Sequence, residues 1–288
     1  MNSIALFGGS FDPPHIGHIE IVKRLLSLKE IDKVIIMPTY LNPFKESFTA
    51  DAKTRLKWLE TIFKDYENVE VWDFEVKQKR KVPSITTVDE LLKRYEKVYL
   101  TIGADNLNSL HKWYKYEELK KKVEFIVATR DGITINGNYK RLHVNIPVSS
   151  TSLRKQIDKR YLPKNISDEI YNYYTRKQME KRVENITKIL DKHKAENIEV
   201  FDLRDKEYLV DFAIIASSLG AKHTLALLDH LKKELKPDEK FNYVDESQDW
   251  VVIDLGDIFI HIMTPEYRTK YDIESFLSEL DKNTVQDD

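Results

Sequence analysis

The chain has 288 residues, 41% hydrophobic and 33% charged, enough apolar material for one large or two modest domains and too much for a disordered tail. It contains no cysteine, which excludes a disulfide framework, a thiolate zinc site and cysteine catalysis. The net charge of −2 conceals an asymmetry, because residues 1–182 carry 33 basic and 24 acidic side chains whereas residues 183–288 carry 13 and 24. The basic part suits phosphate-bearing ligands. The acidic part would be repelled by a nucleic-acid backbone, so no direct DNA binding is expected. No window approaches 18 apolar residues and the opening "SIALF" is too short for a signal-peptide core, so a cytoplasmic chain without a membrane span is expected.

Taken in chain order, "SIALF" (3–7) reads as a strand, and a helical pattern runs on through Ile19, Val22, Leu25 and Leu26. Strands are expected at 33–38, 69–74, 97–103, 123–130 and 142–147, with helices near 51–66, 86–95, 116–121, 151–159 and 166–182. Apolar strands alternating with amphipathic helices imply an α/β domain with a doubly wound parallel, Rossmann-like sheet. The stretch 175–197 is highly charged without Gly or Pro, so the junction to the C-terminal part of the chain is read as helical. Beyond it, strands are expected at 198–203, 211–217, 249–256 and 257–263, and helices at 222–235 and 271–280, a second, small α/β domain with a mixed sheet. The expected division is 1–180 and 181–288.

The candidate chemistry begins at "FGGSFDPPHIGH" (7–18). Gly8 and Gly9 let a ligand approach the backbone closely, and the adjoining helix start offers free N–H groups to an anion. There is no Gly-Lys-Ser/Thr and no Gly-x-Gly-x-x-Gly, so this is neither of the two common nucleotide loops. His15 and His18, three apart, can point together at a phosphate. They could also bind zinc, but Asp12 is the only carboxylate in the turn to complete a set, and no metal site is expected in the chain. A second motif, "PVSSTSLR" (147–154), enters a helix through Ser149, Ser150 and Thr151, one of which should be the N-cap, with Arg154 on the first turn. Two such anion sites at the carboxyl ends of strands lie where open α/β sheets bind ligands.

These two motifs together closely resemble the bacterial nicotinate-nucleotide adenylyltransferases of the HxGH nucleotidyltransferase superfamily, over roughly residues 1–176. "NPFK" (42–45), "PSIT" (83–86), "IGADNLNSLHKWY" (102–114) and "ATR" (128–130) fit in order, with Phe44 and Ile85 replacing the family's histidine and tyrosine. The resemblance implies transfer of the adenylyl group of ATP, with its Mg²⁺ held mainly by the phosphates, to nicotinate mononucleotide. It implies His15, His18, Lys45 and Arg154 as catalytic residues. Gly8, Gly9, Ser10, Phe11, Asp105, Arg130, Ser149, Ser150 and Thr151 would bind ATP and substrate, with Thr86, Trp113 and Tyr114 at the pyridine ring. Another adenylyl- or cytidylyltransferase, for example one acting on phosphopantetheine, and a nucleotide-sensing domain without catalysis are the alternatives.

In 183–288, His193, His223, His230 and His261 are scattered, and no catalytic set is visible. "IEVFDLRDKEYLVDFAIIAS" with "DWVVIDLGDIFIHIMTPEYRTKYDIESF" resembles the ribosomal silencing factor (Iojap-like) family. That resemblance implies a non-enzymatic module that binds the large ribosomal subunit through one of its proteins and blocks subunit joining. Trp250, Asp254, Asp257, His261 and Tyr271 match the family's characteristic positions and are the expected interface residues, Trp250 first.

Overall fold

The structure is a computed structural model that describes residues 2–41, 47–129, 139–236 and 238–280. Its chain divides into two compact units, residues 1–175 and 176–288.

In the first unit, β1 (Ser3–Gly9), β2 (Lys33–Pro38), β3 (Val69–Val71), β4 (Lys97–Gly103), β5 (Glu124–Thr129) and β6 (Lys140–His143) form one parallel sheet of order β3-β2-β1-β4-β5-β6. The expected doubly wound sheet is therefore present, with its reversal of winding between β1 and β4. Helices α1 (Ile16–Leu26) and α2 (Ala52–Phe63) belong to one face of it. The opposite face carries α3 (Phe74–Gln78), α4 (Ser84–Leu91) and α5 (Tyr116–Lys122). Helix α6 (Ser150–Lys155) returns to the first face. Strand alternation builds both cores: Ala5 and Phe7 of β1 face the cluster around Val22, Leu25 and Trp58, while Ile4 and Leu6 face Val88, Leu91 and Leu100. Such strands, buried on both faces, are continuous apolar runs, which is why they are legible.

Two expected strands end early. Only Val69–Val71 of 69–74 pairs with β2, because Asp73 begins α3 and Phe74 joins that helix, where its ring stacks on Trp72 at 4.9 Å. The strand expected at 142–147 is Lys140–His143, and the chain then leaves the sheet for the second motif.

Helix α7 (Ser167–Lys192) contributes Ile170 and Tyr174 to the first core and, from Met179 onward, Val183, Ile186 and Leu190 to the second. The second unit has a mixed sheet of β7 (Glu196–Asp202), β8 (Phe212–Ser217), β9 (Tyr243–Glu246), β10 (Trp250–Asp254) and β11 (Ile258–Met263), in the order β7-β8-β11-β10-β9 with only β8 and β11 parallel. Val251, Ile253, Ile260 and Ile262 pack with α7 and α8 (Ala221–Leu235). Trp250, Phe259 and Met263 share the other face, joined by residues of α9 (Pro265–Tyr271) and α10 (Ile273–Glu279). The short edge strand β9 is not among the expected elements, since "YVDE" is too polar and brief to stand out.

Of the expected interface residues, Trp250 is half-buried, donates from Nε1 to Nδ1 of His261 at 3.3 Å and lies 5.0 Å from the Tyr271 ring. Asp254 and Asp257 are at the β10–β11 turn instead. Asp254 accepts from the Gly256 amide at 2.6 Å, and Asp257 accepts from Arg182 at 2.6 Å. Arg182 also donates twice to Glu239, at 2.7 Å each, so the Asp257 carboxylate serves an ion-pair network within the unit. His261 is buried. Burial pulls its pKa down from 6.5 to about 4, partly offset by Glu274, so the ring is neutral at pH 7.

A histidine that charges more readily unfolded than folded stabilises the fold above pH 6.5 and ceases to as pH falls toward 4, a swing of about 3 kcal/mol. Amide exchange, corrected for intrinsic rates, should therefore show β10 and β11 losing protection between pH 6.5 and 4.5. The loss should be smaller in His261→Phe, and equal losses in both proteins would refute the assignment.

Candidate active site

The carboxyl ends of β1 and β4 open into a cleft of about 810 Å³ at the reversal of winding. Gly8, Gly9, Ser10, Phe11, His15 and His18 line it from the first motif, and Ser149, Ser150, Thr151 and Arg154 from the second. Asp105, Trp113 and Tyr114 line it from the segment after β4, where a 3-10 run, Ala104–Lys112, places Asp105 in its first turn. Lys45 and Arg130 lie outside the described residues. Thr86 is not on the cleft wall. Ser84 and Thr87, three apart and so on one face of α4, are there in its place.

The two histidines are held by the helix start they introduce. His15 is the N-cap of α1, and its backbone N–H donates to Nδ1 of His18 at 3.1 Å, so neutral His18 carries its proton on Nε2. The rings stack with centroids 3.7 Å apart, and Phe11 packs edge-on against His18 at 4.9 Å. Between them, a Cβ at Gly17 would lie 3.0 Å from the His15 ring and press that ring out of place. The spacing His15-Ile16-Gly17-His18 thus stacks two imidazoles on one turn of helix.

The turn preceding them is anchored by two buried charges, Asp12 of the first motif and Arg55, which lies in neither motif. Asp12 accepts from the Ala50 amide at 2.9 Å, the Thr49 amide at 3.1 Å and the Tyr174 hydroxyl. Burial and this carboxylate push the Tyr174 phenol up, so it remains a donor. Arg55, fully buried, donates to three carbonyls: Ser10 at 2.6 Å, Ala50 at 3.0 Å and Tyr40 at 3.1 Å. Burial lowers its pKa, opposed first by Asp12. One guanidinium thus ties the Gly-Gly turn to the chain beyond β2. A signal for it exists in the sequence: Arg55 shares the apolar stripe of Trp58, Leu59, Ile62 and Phe63, where a charge needs an internal partner.

The second motif is tied to the first. Ser149 is the N-cap of α6, its hydroxyl accepting from the Ser152 amide at 3.0 Å. The Ser150 hydroxyl donates to the Pro13 carbonyl at 2.9 Å. Arg154 donates to the Asp12 carbonyl and to the Thr151 hydroxyl, the latter at 3.0 Å. Bonds between distant loops therefore bring the guanidinium and the imidazoles to one cleft.

The rest of the cleft suits a polar, aromatic ligand. Thr39, Thr101 and Trp113 line it with buried polar atoms that have no hydrogen-bond partner among the described residues. Tyr114 is 64% exposed. Glu75, buried on the same wall, accepts from the Thr87 hydroxyl at 2.7 Å, yet burial pushes its pKa up from 4.5 to about 7. Ile85 faces away, into the core with Val88 and Leu91.

Comparison with known proteins agrees with this geometry. Residues 6–156 match the family described as cytidylyltransferase-like, and residues 176–288 match the family described as ribosomal silencing factor during starvation. A probable nicotinate-nucleotide adenylyltransferase of Sulfurimonas denitrificans is 55% identical over 174 residues, which cover 60% of this chain and 96% of that protein. One from Nitratiruptor sp. is 51% identical over 173 residues, covering 59% and 98%. The fold of the first unit is shared with the nicotinic acid mononucleotide adenylyltransferase of Plasmodium falciparum complexed with NaAD, at TM-score 0.52 and 23% identity, covering 61% of this chain and 98% of that one.

Glu75 generates a prediction with a definite sign. An acid whose pKa is raised by folding stabilises most below 4.5 and loses that contribution as pH rises through 7, about 3 kcal/mol in all. Glu75→Gln should flatten the fall of stability between pH 5 and 8, measured by urea denaturation. An unchanged slope would show that Glu75 is ionised throughout.

Proposed function

We propose that this chain, which belongs to the cytidylyltransferase-like family and is a nucleotidyltransferase, transfers the adenylyl group of ATP to nicotinate mononucleotide through its first unit. The acceptor's phosphate oxygen attacks the α-phosphorus, the bond to the β-phosphate breaks, and pyrophosphate leaves with its electron pair. Deamido-NAD is the other product. No protein nucleophile is needed, so the residues align two phosphates and neutralise charge that builds on them. The observation that carries the reading is the lining of one cleft by the His15/His18 pair and by Arg154, which is hydrogen-bonded to the Asp12 carbonyl.

His18, with its proton on Nε2, donates to a phosphate oxygen, and His15 stacked beside it acts on the same group. Arg154, with Lys45, balances the triphosphate and the departing pyrophosphate. The amides of Ser150 and Thr151 hold phosphate oxygens, the Gly8–Phe11 turn receives the nucleotide, and Asp105 takes its ribose or adenine. Trp113 and Tyr114 receive the pyridine ring, with Thr87 in the position expected for Thr86. Mg²⁺ enters on ATP. The Asp12 carboxylate already serves Thr49, Ala50 and Tyr174, which fits an ion bound by substrate phosphates rather than by a protein cage.

The second unit, in the same reading, binds the large ribosomal subunit through one of its proteins and hinders subunit joining. The support is its family match, its acidic balance, which suits a basic partner, and the contact of half-buried Trp250 with exposed Tyr271. Trp250 is the expected anchor. ATP, nicotinate mononucleotide and ribosomes all place the chain's work in the cytoplasm.

His18→Ala should lower kcat/KM for adenylyl transfer by about 100- to 1,000-fold with the fold intact by circular dichroism. Unchanged turnover would leave a nucleotide sensor as the better reading. The full chain should co-sediment with isolated large ribosomal subunits at moderate salt and lose that association in Trp250→Ala. Failure of the unmodified chain to co-sediment would defeat the silencing reading and leave the enzymatic one standing.

A further inference from the structure

Two histidines that are scattered in the sequence meet in the second unit. His193 comes directly after the last turn of α7, while His230 and Glu234, four apart, occupy one face of α8. The rings of His193 and His230 stack with centroids 3.5 Å apart and planes within 10°. His193 Nε2 lies 2.6 Å from Glu234 Oε1. One ligand atom from each of the three residues lies within 4.8 Å of the others. Both imidazoles are half-buried and the carboxylate reaches solvent, so an ion has an entry path.

We propose that His193, His230 and Glu234 form a binding site for a divalent transition-metal ion of the Zn²⁺ type. The donor chemistry selects the class. Two imidazole nitrogens and one carboxylate oxygen suit zinc and its neighbours, whereas Mg²⁺ and Ca²⁺ seek oxygen donors in greater number. Three protein ligands leave a fourth tetrahedral position for water. Zn–N and Zn–O lengths of about 2.0–2.2 Å put tetrahedral ligand atoms roughly 3.3 Å apart with the ion in the plane of each ring, so His193 and Glu234 must separate by a fraction of an ångström and one imidazole must turn out of the stack. Side-chain rotations of Glu234, 29% exposed, and of the half-buried His230 supply both movements.

The surroundings favour the arrangement. His223 Nδ1 accepts from the Leu219 amide at 2.9 Å, so its Nε2–H donates to the His193 carbonyl at 2.8 Å. That bond fixes the backbone of one ligand to the first turn of the helix that carries the other two. Contacts to His193 and Lys192 hold the Glu234 carboxylate beside the two imidazoles. Lys192 Nζ, 2.9 and 3.1 Å from the Glu234 oxygens, is the cation now in place. Its side chain is 63% exposed and can move into water when a metal replaces it. The ion would link the end of α7 to α8 and so stabilise the folded unit by mass action.

The test uses the full chain, free of any affinity tag and stripped with a chelator. Calorimetric titration with Zn²⁺ should show one equivalent whose affinity falls at least about 100-fold in His230→Ala and in Glu234→Gln. Co²⁺ in the same site should give the intense visible bands of four-coordinate geometry, and Zn²⁺ should raise the melting temperature of the parent chain but not of either variant. Circular dichroism of both variants without Zn²⁺, matching that of the parent, reports that the second unit is still folded. The bound equivalent should persist in His18→Ala, which removes the chain's other stacked imidazole pair. Equal Zn²⁺ affinity in the parent and the two variants, or loss of the equivalent in His18→Ala, would overturn the proposal.

Discussion

The geometry of the cleft depends on two buried charges, Asp12 and Arg55, that never need to touch a substrate. A carboxylate and a guanidinium removed from water each need several hydrogen bonds, and backbone groups with the Tyr174 hydroxyl supply them. Asp12 takes two amides and a phenol, and Arg55 gives to three carbonyls. Removing either partner would leave groups unpaired in the interior, which costs more than the bonds contribute. The Gly-Gly turn is therefore held in one conformation, and the imidazoles and Arg154 inherit their positions from it. Preorganisation of this kind is what phosphoryl chemistry asks of a protein, since the substrates bring both nucleophile and leaving group.

The two units use different means. In the first, a parallel sheet buried on both faces leaves polar business to the loops at its carboxyl edge. In the second, a smaller mixed sheet has one face covered by long helices and the other by short ones, and ionic groups do much of the local joining. The Arg182 fork to Glu239 and Asp257 is one case, and Arg268, which contacts Glu199, Glu274 and the Asn197 carbonyl, is another. An aspartate in such a fork is explained by the needs of the fold alone, which shifts attention for binding toward Trp250 and Tyr271.

Much of this is legible from residues. Buried parallel strands such as "KVIIMP" and "KVYLTIG" stand out because both faces are apolar, and their bounds are those the sequence indicates. The strand expected at 69–74 overruns because an apolar run does not distinguish a strand from the short helix that takes over at Phe74. The histidine and serine motifs are visible as turn chemistry at strand ends, and the cleft brings them together. The apolar stripe of α2 marks Arg55 as buried, but its partners and those of Asp12 are carbonyls and amides up to 45 residues away, which no local pattern records. Choosing between Thr86 and Thr87 requires the rotation of α4 about its axis, which is fixed only once that helix is packed. His193 and His230 look scattered for the same reason: 37 positions separate them in the sequence, and only the packing of two helices stacks their rings.

The central claim is that the cleft joins ATP to a nicotinate nucleotide. Incubating the full chain with ATP and Mg²⁺ beside separate acceptors, nicotinate mononucleotide, nicotinamide mononucleotide and phosphopantetheine, tests it most directly. The account predicts deamido-NAD and pyrophosphate formed one for one from the first acceptor. No product from nicotinate mononucleotide, with another acceptor adenylylated in its place, would contradict it.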